Sequence, residues 1–176
     1  MAEVTAQMVK ELRDRTGAGI KESKDILTQT GGDMDAAIEI LREKGLKVSD
    51  KVSGRDAHEG RIEVYVHMGN RMAAMIEVSC ETDFVARTDD FINLTKDLAL
   101  QVAATNPRYI KTDEVPAEEV AASDQPADKY YAEVVLLAQP FVKDPSQTIE
   151  DKIKEAVAKI RENVVVRRFE RYEIGS

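Results

Sequence analysis

The chain has one cysteine, two histidines and no excess of positive charge. Each shortage removes a class of function. A lone thiol, Cys80, cannot form a disulfide within the chain and suits a reducing cytoplasm, which is the expected location. One cysteine with His58 and His67 cannot furnish a zinc site of ordinary spacing, so no metal is expected. Basic residues number 25 against 33 acidic ones, a net charge of −8. That balance argues against nucleic acid as the main partner, because phosphate binding calls for a basic face. No apolar run is long enough to span a membrane. The opening, Met1-Ala2-Glu3-Val4-Thr5, has neither the basic region nor the apolar stretch of a signal peptide. Catalytic motifs are also missing. There is no G-x-S-x-G element and no P-loop. Gly17-Ala18-Gly19 lacks a preceding strand and a following Gly-Lys-Ser/Thr, so a turn between two helices explains it better than a phosphate cradle. No two carboxylates share an apolar setting that would raise a pKa. The expectation is a protein without catalytic residues or a cofactor, and not an enzyme.

What is present describes a globular chain. Hydrophobic residues make up 43% and charged residues 33% of 176 positions, enough to bury a core. Much of the negative charge is local: from Thr112 to Glu133 there are seven acidic residues and one lysine, a run that reads as a solvated excursion.

Residues 1–45 read as three short helices. Thr5 caps the first, which carries Met8, Val9 and Leu12 at helical spacing, and Gly17-Ala18-Gly19 breaks it. The second carries Ile20, Lys24, Ile26 and Leu27 up to Gly31-Gly32. Asp33 caps the third, which bears Ala37, Ile38, Ile40 and Leu41 and is expected to end at Gly45. Residues 46–60 lose the periodicity and read as a linker. A core domain over 61–176 follows. Ile62, Val64 and Val66 alternate with Glu63, Tyr65 and His67, the pattern of a half-buried strand. Met68-Gly69-Asn70-Arg71 turns into a second strand, Met72 to Cys80, making a hairpin. A long helix is capped near Thr88 or Asp89, carries Phe91, Leu94, Leu98 and Val102, and stops at Pro107. Lys111 to Pro145 reads as short helices separated by turns. Thr148 caps a further helix with Ile149, Ile153, Val157 and Ile160 on one face. A last strand, Val164 to Ile174, carries Arg167, Arg168 and Arg171 and suits a sheet edge or a partner surface. The fold class is α+β: a three-helix bundle, then a small antiparallel sheet with helices packed on it.

Two segments resemble a known family. Val9-Lys10-Glu11-Leu12-Arg13-Asp14-Arg15-Thr16-Gly17-Ala18-Gly19 resembles the N-terminal domain of bacterial elongation factor Ts, a ubiquitin-associated-like (UBA-like) bundle. Glu77-Val78-Ser79-Cys80-Glu81-Thr82-Asp83-Phe84-Val85-Ala86-Arg87 resembles that family's Thr-Asp-Phe-Val-Ala motif. Weaker matches run through Gln139–Ser146 and Ile160–Arg168, so the likeness covers nearly the whole chain in the family's order. It implies a guanine-nucleotide exchange factor whose partner is elongation factor Tu, in its GDP-bound and nucleotide-free forms. It further implies that Thr82, Asp83, Phe84 and Val85 bind the partner, with Asp83 and Phe84 entering the GTPase domain near magnesium and phosphate. On physical grounds alone, Phe84 is either a plug beneath the next helix or an exposed aromatic wedge. Arg13, Ile20 and Lys24 match bundle residues that touch the GTPase domain, although Arg13 and Lys24 also read as solvated helix charges. His67, before Met68-Gly69, resembles a family contact to another domain of the partner and also reads as a strand histidine with a satisfied hydrogen bond. Val142 matches a Val-Met pair in which Lys143 replaces methionine. Ile160 matches, while Arg161 stands where longer forms often have glycine.

Length is the largest departure. Longer members have two similar core subdomains; short forms resemble this chain, and in them two chains pair so that two single cores mimic the double one. A homodimer through the core is therefore expected, with Met72–Cys80 and the arginine-rich final strand as candidate pairing surfaces and Cys80 able to approach its symmetry mate, without a stabilising disulfide in a reducing cytoplasm. The competing reading is an adaptor, in which the UBA-like bundle does the binding and the core only dimerises.

Overall fold

In the computed structural model, residues 4–175 are described, Leu46 by its backbone only. Met1–Glu3, on which the targeting expectation partly rests, lie outside the described residues. Helix α1 (Ala6–Thr16) starts where the Thr5 hydroxyl accepts from the Met8 amide at 3.2 Å, and ends at Gly17 with φ 69°. Helix α2 (Ile20–Gln29) is followed by Gly31 and Gly32, both at positive φ. The Asp33 carboxylate then accepts from the Ala36 amide at 3.0 Å and opens α3 (Met34–Val52). The three helices close on a core of their own, made of Val9, Leu12, Ile26, Leu27, Ala37 and Leu41.

Helix α3 does not stop at Gly45. It continues to Val52, so the first half of the segment read as a linker is helical and only Ser53–His58 connects to the sheet. Gly45 is instead a point of close approach: a Cβ there would lie 2.9 Å from the Cβ of Ala158, on a helix that crosses α3. Glycine in a helix costs about 1 kcal/mol of propensity, which packing at such a crossing offsets.

The remaining elements run in chain order: β1 (Glu59–Val66), β2 (Met72–Cys80), α4 (Asp83–Ala86), α5 (Asp89–Thr105), α6 (Ala117–Ala122), α7 (Ala127–Val134), β3 (Pro140–Phe141), β4 (Asp144–Thr148), α8 (Ile149–Ile160) and β5 (Val165–Glu173). Strands β1, β2 and β5 form an antiparallel sheet in that order, with β2 central; β3 and β4 pair separately. The main core lies between the sheet and its helices. Ala74, Ile76, Val78, Cys80 and Val166 meet Phe91, Leu94, Leu98 and Val102 of α5 and Ile149 and Val157 of α8. Both long helices open on threonine caps, Thr88 for α5 and Thr148 for α8, the latter in a reciprocal box with Asp151. The acidic excursion is pinned at its base. Glu119 accepts from the Tyr109 and Tyr130 hydroxyls at 2.9 Å each and from Arg108 at 2.8 Å. The tyrosine hydrogen bonds and the arginine charge hold its carboxyl below the ordinary range.

The sheet is inverted relative to the half-buried pattern of β1. Ile62, Val64 and Val66 face outward, at 58%, 52% and 52% exposure. Arg61, Glu63 and Tyr65 face the helix layer, where Arg61 pairs with Glu63 at 2.8 Å. The polar side fits inward because β1 is an edge strand beside α5, whose buried Thr95 has its hydroxyl 3.5 Å from the Glu63 carboxylate.

Candidate functional site

The chain leaves β2 at Cys80 and passes through Glu81-Thr82 into α4, a single helical turn. The Thr82 hydroxyl accepts from the Val85 amide at 3.3 Å and caps it. Val85 and Ala86 sink into the core at 6% and 8% exposure. Side chains step 100° around a helix, so burying these two sets Phe84 roughly 150° from the buried midline. Phe84 is accordingly 77% exposed and is not a plug beneath the next helix. Asp83 is also exposed and pairs with Arg87 at 3.0 Å. Val85 anchors the turn and offers little surface of its own.

The turn is held from the far end of the sequence. Glu162 Oε2 accepts from the amides of Glu81 and Thr82 at 3.1 and 3.0 Å, and Oε1 accepts from the Thr82 hydroxyl at 2.7 Å. In return the Asn163 amide donates to Glu81 Oε1 at 2.7 Å. The Asn163 side-chain amide donates to the Ser53 and Arg55 carbonyls, just past α3. Arg161 caps α8 with φ 62°, the left-handed conformation that glycine reaches freely and that costs arginine about 1–2 kcal/mol.

The α1–α2 turn lies against the same end of α8. A Cβ on Gly17 would meet the Lys159 side chain at 2.6 Å. Ile20, just beyond that turn, is 63% exposed. Ile160 is half-buried against the main core. The structure thus sets the turn leading to Ile20 against the Lys159 end of α8, whose exit at Glu162 bonds the Thr82 turn. Arg13 and Lys24 are exposed on α1 and α2, with no side-chain ion pair among the described residues. His67 is at the opposite end of the sheet: strand rise puts it about 25 Å from the start of β1, which pairs with Cys80. Its Nδ1 lies 3.1 Å from the Tyr65 hydroxyl. Val142 sits in the β3–β4 turn, 40% exposed, its amide donating to Gln101 Oε1 at 2.9 Å. Lys143 is tied to Asp97 at 2.6 Å.

Glu162 and Asn163 were not singled out from sequence. They lie in the Ile160–Arg168 stretch that carried a weak family match, but two polar residues after a helix look like ordinary surface until the strand exit, some eighty positions earlier, is placed beside them.

The outer sheet face forms a second surface. Ile62, Val64, Val66, Ala73, Met75 and Tyr172 share it, with Glu77 and Arg168 paired across it at 2.6 Å. Of the three arginines expected at a pairing surface, only Arg168 lies here. Arg167 donates to the Ala57 carbonyl at 2.6 Å and Arg171 to the Ala103 carbonyl at 2.9 Å. Strand β2 is hydrogen-bonded on both sides and has no open edge. Cys80 points into the core, away from this face, so it cannot approach a symmetry mate across it.

Burial, with the nearby Glu162 charge, pushes the Cys80 thiol up to about 11. Below that pH the protonated form prevails, and the thiolate is the reactive species. Folded protein at pH 8 should therefore react with a disulfide reagent about 100-fold or more slower than the unfolded chain in urea. Equal rates in the two states would contradict this burial. Among the described residues there is no cluster of His, Cys, Asp and Glu able to hold a metal ion, and no helix long and apolar enough to cross a membrane.

Against known proteins, the family model described as Elongation factor TS matches residues 2–127 and 126–176. The chain is 55% identical over 195 residues to Elongation factor Ts of Herpetosiphon aurantiacus, covering 98% of each chain. It is 46% identical over 194 residues to Elongation factor Ts of Heliobacterium modesticaldum, covering 98% of this chain and 90% of that one. It is 45% identical over 197 residues to the protein of the same name from Desulforamulus reducens, covering 99% and 91%.

Proposed function

We propose that this chain, which belongs to the elongation factor Ts family and so is a translation elongation factor, promotes release of GDP from elongation factor Tu. The observation that carries the reading is Phe84: a large aromatic, 77% exposed, on a helical turn whose other end is anchored in the core. A bulky apolar side chain held in water by its own backbone is suited to enter a partner.

The chemistry needs no catalytic group. An exchange factor works by binding the nucleotide-free partner more tightly than the GDP form, and GDP then weakens the factor by the same ratio. Asp83 and Phe84, inserted near the partner's magnesium and phosphate contacts, create that difference, because the ion neutralises the largest local charge. Ile20 and the Ile160 exit flank the wedge and support its docking on the GTPase domain, together with Arg13 and Lys24 of a bundle that acts as a contact module. His67 and Val142, far from the wedge, serve other parts of the partner. Lys143 is drawn to Asp97 and leaves the Val142 contact to the valine. The protein does this in the cytoplasm, without nucleic acid or membrane.

The working form is a homodimer through the outer sheet face. Its apolar residues share one exposed face of the sheet, and a two-fold axis lets one patch serve both protomers. The direct test of the exchange reading is release of a fluorescent GDP analogue from elongation factor Tu. The rate should rise and saturate with added protein; a rate equal to spontaneous release would end the reading.

A further inference from the structure

Glu162 joins the end of α8 to the exit of β2, some eighty positions earlier in the chain. Three donors, two of them backbone amides beyond the last ladder position of β2, meet one carboxylate at 2.7 to 3.1 Å. The Thr82 hydroxyl is bonded in both directions, donating to Glu162 and accepting from the Val85 amide. Glu162 therefore sets the direction in which the cap of α4 aims its lone pair. The neighbouring Asn163 ties the same knot to the end of α3 through Ser53 and Arg55.

We propose that Glu162 is a positioning residue for Phe84: it fixes the angle at which α4 leaves the sheet and holds the aromatic side chain projecting before a partner arrives. The inference rests on the exchange reading above. One turn of helix cannot sustain itself, since nucleation costs more than a single hydrogen bond returns. Buried Val85 and Ala86 keep α4 attached, but apolar burial is non-directional and does not by itself fix the angle of the turn. Charge-assisted hydrogen bonds to the residues immediately before it are directional and supply that constraint. A wedge that is already ordered loses less entropy when it enters the partner.

Substitutions separate this role from bulk stability. In Glu162→Gln the amide oxygen, standing in the place of Oε2, still accepts from both backbone amides, and the new NH2 donates to the Thr82 hydroxyl. Glu162→Asp is one methylene short of all three donors, and Glu162→Ala removes the acceptor. Catalysed GDP release should show a maximal rate roughly tenfold lower for Glu162→Ala and Glu162→Asp. The concentration giving half-maximal rate should stay within about twofold, because the larger docking surface is untouched. Glu162→Gln should recover most of the loss. Amide hydrogen exchange supplies a readout independent of the partner: Glu81, Thr82 and Val85 should lose protection in Glu162→Ala while β2 and β5 keep theirs. Wild-type maximal rates in folded Glu162→Ala, or activity falling only with the unfolded fraction, would overturn the proposal. If the unmutated protein fails to release GDP, the exchange reading falls, and the amides alone decide. Protection lost only around 81–86 then upholds the positioning role, and unchanged protection removes it.

Discussion

Phe84→Ala should slow catalysed GDP release by roughly thirtyfold or more, the scale on which losing a centrally placed interface aromatic costs about 2 kcal/mol or above. Stability should barely change. At 77% exposure the ring contributes little to the core, and substitutions at such positions fall within about 0.5 kcal/mol. For a chain of this length that is a melting shift of about 2 °C or less. The contrast is Phe91, fully buried in the main core, whose replacement by alanine should cost about 3–5 kcal/mol. Denaturant titration and the fluorescent GDP assay, run on both variants, separate the two behaviours. Should Phe84→Ala lose stability on the Phe91 scale, with activity tracking the folded fraction, the ring is structural and the wedge mechanism is wrong.

Val64→Asp should convert a dimer into a monomer. Val64 lies mid-strand on the outer face, opposite Met75, which in turn pairs with Glu170 of β5. Because Val64 is 52% exposed in the single chain, a carboxylate there stays hydrated and the monomer keeps its fold. In a two-fold dimer the substitution buries two like charges near the axis, each costing several kcal/mol unless paired. That should weaken association by about a thousandfold or more. Sedimentation equilibrium at micromolar concentration should give twice 19.6 kDa for the unmutated protein and 19.6 kDa for the variant. A constant 19.6 kDa for unmutated protein that still releases GDP would show that the dimer is not required.

How much was legible in advance followed the range of the forces involved. Capping and periodicity act over three or four residues, so Thr5, Asp33, Thr88 and Thr148 marked helix starts directly from their neighbours. The stripe of Phe91, Leu94, Leu98 and Val102 named the buried face of α5, and the hairpin showed in its alternation and turn. The Thr-Asp-Phe-Val-Ala motif marked the turn that carries the proposed wedge.

The remainder depended on contacts between distant segments. Alternation in β1 shows that its two faces differ but not which one meets the helices. That choice came from the polar margin offered by α5, which left Ile62, Val64 and Val66 in water. Gly45 looked like a helix end because glycine is the usual terminator, whereas the crossing with Ala158 makes it a packing position inside α3. Pairing of β3 with β4 joins segments too short to show a period. At the site, the sequence by itself determined that Phe84 follows a capping threonine. Whether the ring faced core or solvent was decided by the burial of Val85 and Ala86, and the angle of the turn by Glu162, because a single helical turn takes its orientation from what the rest of the chain packs and bonds around it.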